Sequence, residues 1–386
     1  MTQFYSERSG GIKTYLEAKG EYGVKTGAWR QLLIVPYQRS EVMETPGRKV
    51  YRVHGVPVPW NRQYRLILDP VACLRILRKE SPDVIEVGSP DLLPWSALYY
   101  AKTRGIPCVG FYHSDFSDTY FQASPQGGKV AWLTKWPYRV ALRYTRALYN
   151  RFDATLIATN PLLEKMTALG INNAVLLRLG VDTELFSPGK RNLQLIQALG
   201  LNSSLPTVLY VGRLSKDKGF PLFLETQRAL WRRKNANCLI AGDGPLSPQA
   251  LELQREFPQK VRFLGYLPKQ TLAVLYASVD VFIMPSRYET FGLAALEALS
   301  SGTPVIFQRN LGFLTEEMDC GGFLVSEPTP EALAQKAMEV LEAGRDRVSL
   351  LARKFVLEKY HWDRTFQSLK ALYATLGDRR SSARHS

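Results

Sequence analysis

Short apolar runs alternate with longer stretches of helical period along most of this chain. The rhythm is clearest in the second half. There Pro206-Thr-Val-Leu-Tyr-Val-Gly212, Asn237-Cys-Leu-Ile-Ala-Gly242, Val261-Arg-Phe-Leu-Gly265, Asp280-Val-Phe-Ile-Met-Pro285, Pro304-Val-Ile-Phe307 and Gly322-Phe-Leu-Val325 read as strands. Runs that are apolar throughout, rather than at every second position, mark strands covered on both faces. Helical stretches fall between them at about 219–233, 247–256, 269–278 and 291–301. No hairpin turn joins one strand to the next, so the pattern predicts βα units and a parallel sheet.

The first half alternates less cleanly. Strands are expected at 30–36, 83–87, 107–112 and 153–159, with a further candidate at 175–179. Helices fit 12–18, 70–79, 94–103 and 135–150. The whole reads as an α/β protein of two doubly wound domains, 1–188 and 189–358, with Pro188-Gly-Lys-Arg-Asn192 as linker. A last helix is expected over 359–376. The polar, basic residues 377–386 are expected to fray. Only Thr2–Tyr5 precede the first glycine turn, Ser9-Gly10-Gly11, so the first strand is a stub. Either the true start lies upstream or the domain tolerates a short strand.

Composition narrows the class. At 386 residues, 45% hydrophobic and 22% charged, the chain has room for two ordinary cores, and wholesale disorder and fibrous rods are excluded. No apolar run reaches the ~18 residues of a membrane span, and the start has no apolar leader. Cys73, Cys108, Cys238 and Cys320 are too far apart for a zinc site or a disulfide framework. They suit buried thiols in a reducing cytoplasm. The formal charge of +15 favours polyanionic partners: nucleic acid, an anionic membrane or phosphorylated substrates.

The cleft expected between the carboxyl ends of two such sheets is where ligands of open α/β folds bind. Pro285-Ser-Arg-Tyr-Glu289-Thr290-Phe291-Gly292-Leu293-Ala-Ala-Leu-Glu297 is a strand end, a loop and a helix start. Thr290 is a candidate N-cap. The free amides after it suit a phosphate, and Gly292 permits its close approach. Glu289 and Glu297 can accept hydrogen bonds from sugar hydroxyls; alternatively Glu289 caps the helix and Glu297 lies on a solvated face. Arg213 and Lys218 flank the loop after the 206–212 strand. They can neutralise a diphosphate, or they are two surface cations. Gly242-Asp-Gly244-Pro245 is a weaker glycine turn. No Asp-x-Asp occurs in the chain, so no metal is expected through that motif, and a leaving diphosphate would be met by Arg, Lys and the helix dipole.

In the first half Gly10 and Gly11 open another loop of backbone donors. His113 ends the 107–112 strand and faces the same cleft, although a lone histidine is more often structural. Between 129 and 152 lie Lys129, Lys135, Arg139, Arg143, Arg146 and Arg151, and no acid. As a helix this segment sets Lys135, Arg139, Arg143 and Arg146 on one stripe beside Trp136, Val140 and Tyr144. A basic stripe with aromatic flanks suits an anionic membrane surface; the alternative is a packed helix with snorkelling cations. No RNA-binding motif is present, so no nucleic-acid partner is expected.

Taken together, Arg213 with Lys218, Glu289-x7-Glu297 around Phe291-Gly292-Leu293, the Gly180-Val181-Asp182 to Phe186 stretch and the paired glycines near the start resemble family 4 retaining glycosyltransferases of GT-B fold. The resemblance covers nearly the whole chain, most strongly 175–325. It implies a first domain for the acceptor and a second for a nucleotide-sugar donor, with no cofactor. Arg213 and Lys218 would bind the donor diphosphate, Glu289 the transferred sugar and Glu297 the ribose. The backbone at Thr290, Phe291, Gly292 and Leu293 would touch sugar and phosphate. Gly10 and Gly11 would approach the diphosphate, and His113 would lie near the anomeric centre. Retention in this family is attributed to attack on the donor's front face, with the leaving phosphate as base. Phe111-Tyr-His-Ser-Asp-Phe116 and His54-Gly-Val-Pro-Val-Pro59 with Tyr64-Arg65 are similar to members that glycosylate lipids. The expectation is transfer of a hexose, from a UDP-sugar by preference and GDP-mannose as the alternative, to a membrane lipid or glycolipid by a peripheral enzyme on the cytoplasmic face. A catalytically idle nucleotide-sugar or nucleic-acid binding protein is the reading from another class.

Overall fold

Contacts in the computed structural model divide the chain into two units, Met1–Leu179 with Trp362–Ser386, and Gly180–His361. The residues described are 1–5, 10–58, 61–113, 131–286, 289, 291–308, 322–325 and 327–385; of these, the side chains of 61–63, 131–136, 346–347 and 383–385 are outside the description.

In the first unit the strands are β1 (Gln31–Tyr37), β2 (Glu41–Thr45), β3 (Arg48–His54), β4 (Val56–Val58), β5 (Asn61–Leu66), β6 (Ile85–Val87), β7 (Cys108–Phe111), β8 (Ala154–Ile157) and β9 (Ala174–Leu176). The helices are α1 (Gly11–Thr26), α2 (Pro70–Glu80), α3 (Leu93–Arg104), α4 (Ala131–Tyr149) and α5 (Asn160–Ala168). Strands β6 to β9 form a parallel sheet in chain order, and β1 pairs in parallel with β3. The first residues join these sheets. The Thr2 amide donates to Ile34 O (3.2 Å), the Met1 amine to Glu86 O (2.6 Å), and the Gly88 amide to Met1 O (2.9 Å). The helix starts follow local chemistry: Asp69 Oδ1 accepts from the amides of Val71 and Ala72 ahead of α2, with Pro70 at the first helical position.

Two antiparallel pairs, β2–β3 and β4–β5, were not anticipated. A signal existed: Pro46-Gly47 sits between two β-rich runs, and Gly47 takes φ +72° in the turn. Charge obscured it, because β2 is fully exposed and carries Glu41 and Glu44, paired with Arg52 and Arg30. An exposed edge strand written in charged residues does not look apolar.

In the second unit α6 (Leu195–Ala198), β10 (Thr207–Val211), α7 (Phe220–Trp231), β11 (Asn237–Ala241), α8 (Ser247–Glu256), β12 (Val261–Phe263), α9 (Lys269–Ser278), β13 (Val281–Met284), α10 (Leu293–Ser300), β14 (Val305–Gln308), β15 (Gly322–Val325), α11 (Pro330–Ala343) and α12 (Arg345–Lys359) follow one another. The six strands are parallel in the order β12-β11-β10-β13-β14-β15, the doubly wound order of nucleotide-binding sheets. Val208, Leu209, Leu239, Ile240, Phe282, Ile283 and Ile306 are fully buried, as helices on both faces require.

The divisions fall at 179/180 and 361/362 rather than at 188/189 and 358/359. The reason is local to the second unit. The Val181 amide donates to Tyr360 O (2.9 Å), and Arg353 donates to Phe186 O (2.8 Å) and Thr183 O (2.7 Å). The stretch 180–186 is thereby tied to the second unit.

The end of the chain also differs from expectation. One helix runs from Trp362 to His385, through the residues expected to fray. Leu376 is buried, and Arg380 donates from Nη2 (2.6 Å) and Nε (3.0 Å) to Asp153 Oδ1. An anchor of opposite charge offsets the fraying that a polar basic tail invites. Arg380→Ala is expected to cost about 1 kcal/mol in urea denaturation, the pair being partly exposed, and to speed amide exchange over 377–385. Exchange in the wild-type protein already as fast as in an unfolded peptide would reject this helical end.

Candidate active site

Strand order in the second unit reverses between β10 and β13. The chain leaving β10 turns toward β11, and the chain leaving β13 turns toward β14. Their diverging loops open a crevice at the carboxyl edge, where such sheets bind ligands. The loop after β10 carries Arg213 and Lys218; the loop after β13 carries Glu289 and leads into α10 at Gly292.

Glycine permits these loops to meet. Gly219 caps α7 with φ +69°, and a Cβ there would lie 2.0 Å from Pro285 O. A Cβ on Gly242 would lie 1.9 Å from Gly212 O, and one on Gly244 2.5 Å from Leu214 O. No side chain fits such gaps. Polar atoms then hold the loops in shape: Tyr210 Oη donates to Arg213 O (3.0 Å), and Gln308 Nε2 donates to Pro285 O.

On this frame Lys218 Nζ donates to Glu289 Oε2 at 2.6 Å, both side chains partly exposed. Arg213 Nη2 donates to Asp217 Oδ1 at 3.1 Å and stays half exposed. Thr290 lies outside the described residues. The N-cap of α10 is Gly292, at φ +95° with no side-chain cap, so the amides of Leu293, Ala294 and Ala295 form the first turn and have no acceptor within their own helix. Phe291 is buried and meets the Tyr360 ring edge-on at 6.1 Å. It is a packing residue that sets the helix entry.

Glu297 is partly buried on α10, and among the described residues its carboxylate has no hydrogen-bond partner. Burial pushes its pKa up to about 7, against the pull of Lys269. The Gly180-Val-Asp-x-x-x-Phe stretch is structural here. Asp182 Oδ1 accepts from the amides of Glu184 and Leu185, and Phe186 is buried beside Tyr276.

In the first unit Gly10 is the exposed N-cap of α1, with Gly11 the first helical residue. A Cβ on Gly10 would meet nothing within 4 Å and its φ is −81°, so neither packing nor torsion demands glycine there. His113 follows β7, stacked on Phe111 with centroids 3.8 Å apart. Burial lowers its pKa to about 4, against the pull of Glu86, so its imidazole is neutral at pH 7. A buried cluster near it escaped the sequence reading. Glu86 Oε2 accepts from Lys19 Nζ (2.9 Å), Tyr373 Oη (2.7 Å) and Tyr15 Oη (3.0 Å). Burial favours a neutral Glu86, but the Lys19 ammonium and these hydrogen bonds outweigh it and hold the carboxyl at about 2.

The basic helix exists as α4. The side chains of Lys135 and Trp136 are outside the description. Arg139 and Arg143 are exposed; Arg146 is exposed too but lies over Gly170, whose added Cβ would sit 2.9 Å from Arg146 Nε. An open recess of about 330 Å³ is lined by Arg143, Arg146, Ala147, Asn150 and Arg151. Among the described residues no carboxylate pairs with these arginines. Trp95 and Tyr144 are exposed beside them, and the Arg151 guanidinium sits 5.3 Å from the Trp95 ring. Among the described residues no helix is long and apolar enough to cross a membrane. Cys73, Cys108 and Cys238 are buried free thiols; Cys320 lies outside the described residues.

Solved structures share this fold. The chain is similar to sucrose-phosphate synthase from Thermosynechococcus elongatus, with a TM-score of 0.76 at 22% identity over 95% of this chain and 94% of that one. The chain has the GT-B fold, with two Rossmann-like domains. Residues 9–185 match the family described as "Glycosyltransferase Family 4", and residues 193–354 that described as "Glycosyl transferases group 1"; the chain belongs to glycosyltransferase family 4. It is 31% identical to the GDP-mannose-dependent alpha-mannosyltransferase of Mycolicibacterium smegmatis, over 87% of this chain and 84% of that one. It is 28% identical to the GDP-mannose-dependent alpha-(1-6)-phosphatidylinositol dimannoside mannosyltransferase of Mycobacterium tuberculosis, over 98% and 95%. Two other curated relatives are longer, and the chain spans 66% and 64% of their lengths.

Glu297 yields a pH test. A carboxyl raised from 4.5 to about 7 keeps its proton in the folded state while the unfolded chain loses it. Stability therefore falls as pH rises from 4.5 through 7, by up to about 3 kcal/mol. Glu297→Gln is expected to flatten that slope between pH 5 and 7.5 in denaturation curves. An unchanged slope would show that Glu297 titrates normally.

Proposed function

We propose that this chain is a retaining α-mannosyltransferase that moves mannose from GDP-mannose to a lipid-linked acceptor at an anionic membrane surface, without a metal. GDP-mannose displaces the UDP-sugar first favoured, because the M. smegmatis and M. tuberculosis relatives named above are GDP-mannose-dependent. The observation that carries the reading is the crevice between β10 and β13: Lys218 and Glu289 meet there, beside the open first turn of α10.

The roles follow from charge. Lys218 and Arg213 neutralise the diphosphate as it departs with the electron pair of the bond to the sugar. The first-turn amides of α10 add a dipole of the right sign. Glu289 accepts from a hydroxyl of the transferred sugar, and Glu297 from the ribose. The acceptor hydroxyl attacks on the face the diphosphate leaves, and its proton passes to the leaving phosphate oxygen, so no protein nucleophile is needed. The family resemblance assigns Gly10 and Gly11 to the diphosphate. The same resemblance assigns His113 to the anomeric centre, where a neutral ring can donate or accept a hydrogen bond without adding charge. Arg139, Arg143 and Arg146 meet lipid phosphates, a role supported by their exposure and by the lack of a carboxylate partner among the described residues.

GDP is expected to raise the melting temperature and UDP to leave it unchanged; stabilisation by UDP alone would return the donor to a UDP-sugar. Lys218→Ala and Glu289→Ala should each lower kcat on the order of 10²-fold or more, with EDTA without effect. Near-normal turnover in either variant would remove that residue from the mechanism. Charge reversal at Arg139, Arg143 and Arg146 should weaken sedimentation with phosphatidylinositol-containing vesicles. Unchanged sedimentation would exclude α4 as the contact.

A further inference from the structure

His113 is held by packing. Among the described residues no hydrogen bond reaches its ring. Phe111 stacks on one face (3.8 Å, 22°), and the Tyr15 ring lies 5.4 Å away at 59°. Gly88, in the turn after β6, leaves the remaining space bare: a Cβ there would lie 2.9 Å from His113 Cδ2 and 3.1 Å from Nε2. The position of Tyr15 therefore bears on the position of His113.

Tyr15 is fixed at both ends. Its hydroxyl donates to Glu86 Oε2 (3.0 Å), and its ring packs on Phe111 (5.0 Å) and on Phe366 of the C-terminal helix (5.9 Å). The same carboxylate oxygen takes Lys19 Nζ (2.9 Å) and Tyr373 Oη (2.7 Å), and Lys19 also donates to Tyr373 Oη (2.8 Å). One oxygen thus gathers α1, β6 and the C-terminal helix. A buried ion pair is a poor device for stability alone, since apolar residues of similar volume serve as well or better. What it provides is direction, because its hydrogen bonds are satisfied in one arrangement.

We infer that Tyr15, Lys19, Glu86 and Tyr373, with Gly88 kept bare, are positioning residues for the His113 imidazole, so that the C-terminal helix sets the geometry of a side chain at the reacting centre. The inference rests on the reading that His113 lies by the anomeric centre. A displacement of about 1 Å at a reacting centre can cost ~10²-fold in rate, and both a lost Tyr15 anchor and a methyl group at Gly88 act on that scale.

The test uses the full chain and three conservative variants: Tyr15→Phe, which cuts the tether but keeps the ring; Tyr373→Phe, which removes one donor; and Gly88→Ala, which leaves the network whole and crowds the imidazole. Carbon-13 labelling of the four histidines reports the His113 Cδ2 signal. GDP release from GDP-mannose, with phosphatidylinositol vesicles present, reports kcat and KM. The expected result is a displaced His113 signal in each variant, kcat lower by 10-fold or more, and a donor KM within twofold of wild type. A purely structural anchor would lower the melting temperature and move neither the signal nor kcat, and that result overturns the inference. So does wild-type kcat in the variants when His113→Ala is inactive. If His113→Ala itself turns over normally, the assignment of His113 to the reacting centre falls, and the His113 signal alone then decides whether the network positions the ring.

Discussion

The second unit depends on backbone meeting backbone. At the carboxyl edge of its sheet, Gly219 lies against Pro285 O, Gly242 against Gly212 O and Gly244 against Leu214 O, each closer than any Cβ allows. These contacts draw in the loops after β10, β11 and β13, and only then can the short reach from Lys218 to Glu289 close at 2.6 Å. The charges are the visible part of the site; the bare backbone beneath them makes their meeting possible. Positive φ at Gly219 and Gly292 adds a second reason for glycine, since other residues bear a steric cost in that region.

The two units handle charge in opposite ways. In the second, Arg213, Lys218 and Glu289 keep contact with water. Exposed pairs of this kind contribute little to stability, so Lys218 can exchange its carboxylate for a phosphate at small cost. In the first, Glu86 and Lys19 are almost dry, with side chains about one-tenth exposed. Removing one partner there strands the other, a loss of several kcal/mol. The exposed arrangement suits a site that exchanges ligands, and the buried one suits a joint that holds still.

Much of the second unit was legible because each strand carries its own signature. The apolar runs at 207–211, 237–241, 281–284 and 322–325 were placed within a residue or so, and α8 and α9 at their observed bounds. Local pattern failed where charge or distance took over. The β2–β3 hairpin is written in Glu, Lys and Arg on an exposed edge. The helical end of the chain relies on Asp153, more than two hundred positions away. Glu86 looked like one acid in a short strand, Asp83-Val-Ile-Glu-Val87, and nothing nearby announces that Tyr373 will reach it. Arg213, Lys218, Glu289 and Glu297 stand out as candidates because the loops and the helix that carry them follow strands whose ends are readable. Contacts between distant segments leave no such mark in one sequence.

Glu297 joins the two themes. It projects from α10, whose first turn favours anions, yet burial leaves its carboxyl near 7 rather than low. Burial is the cause, and among the described residues no hydrogen-bond donor offsets it. A vicinal diol is well matched to such a group, since two hydroxyls can donate to the two oxygens and favour the charged form. In the proposed role, the ribose would supply the hydrogen bonds that the fold withholds, and binding would expel a proton near neutral pH.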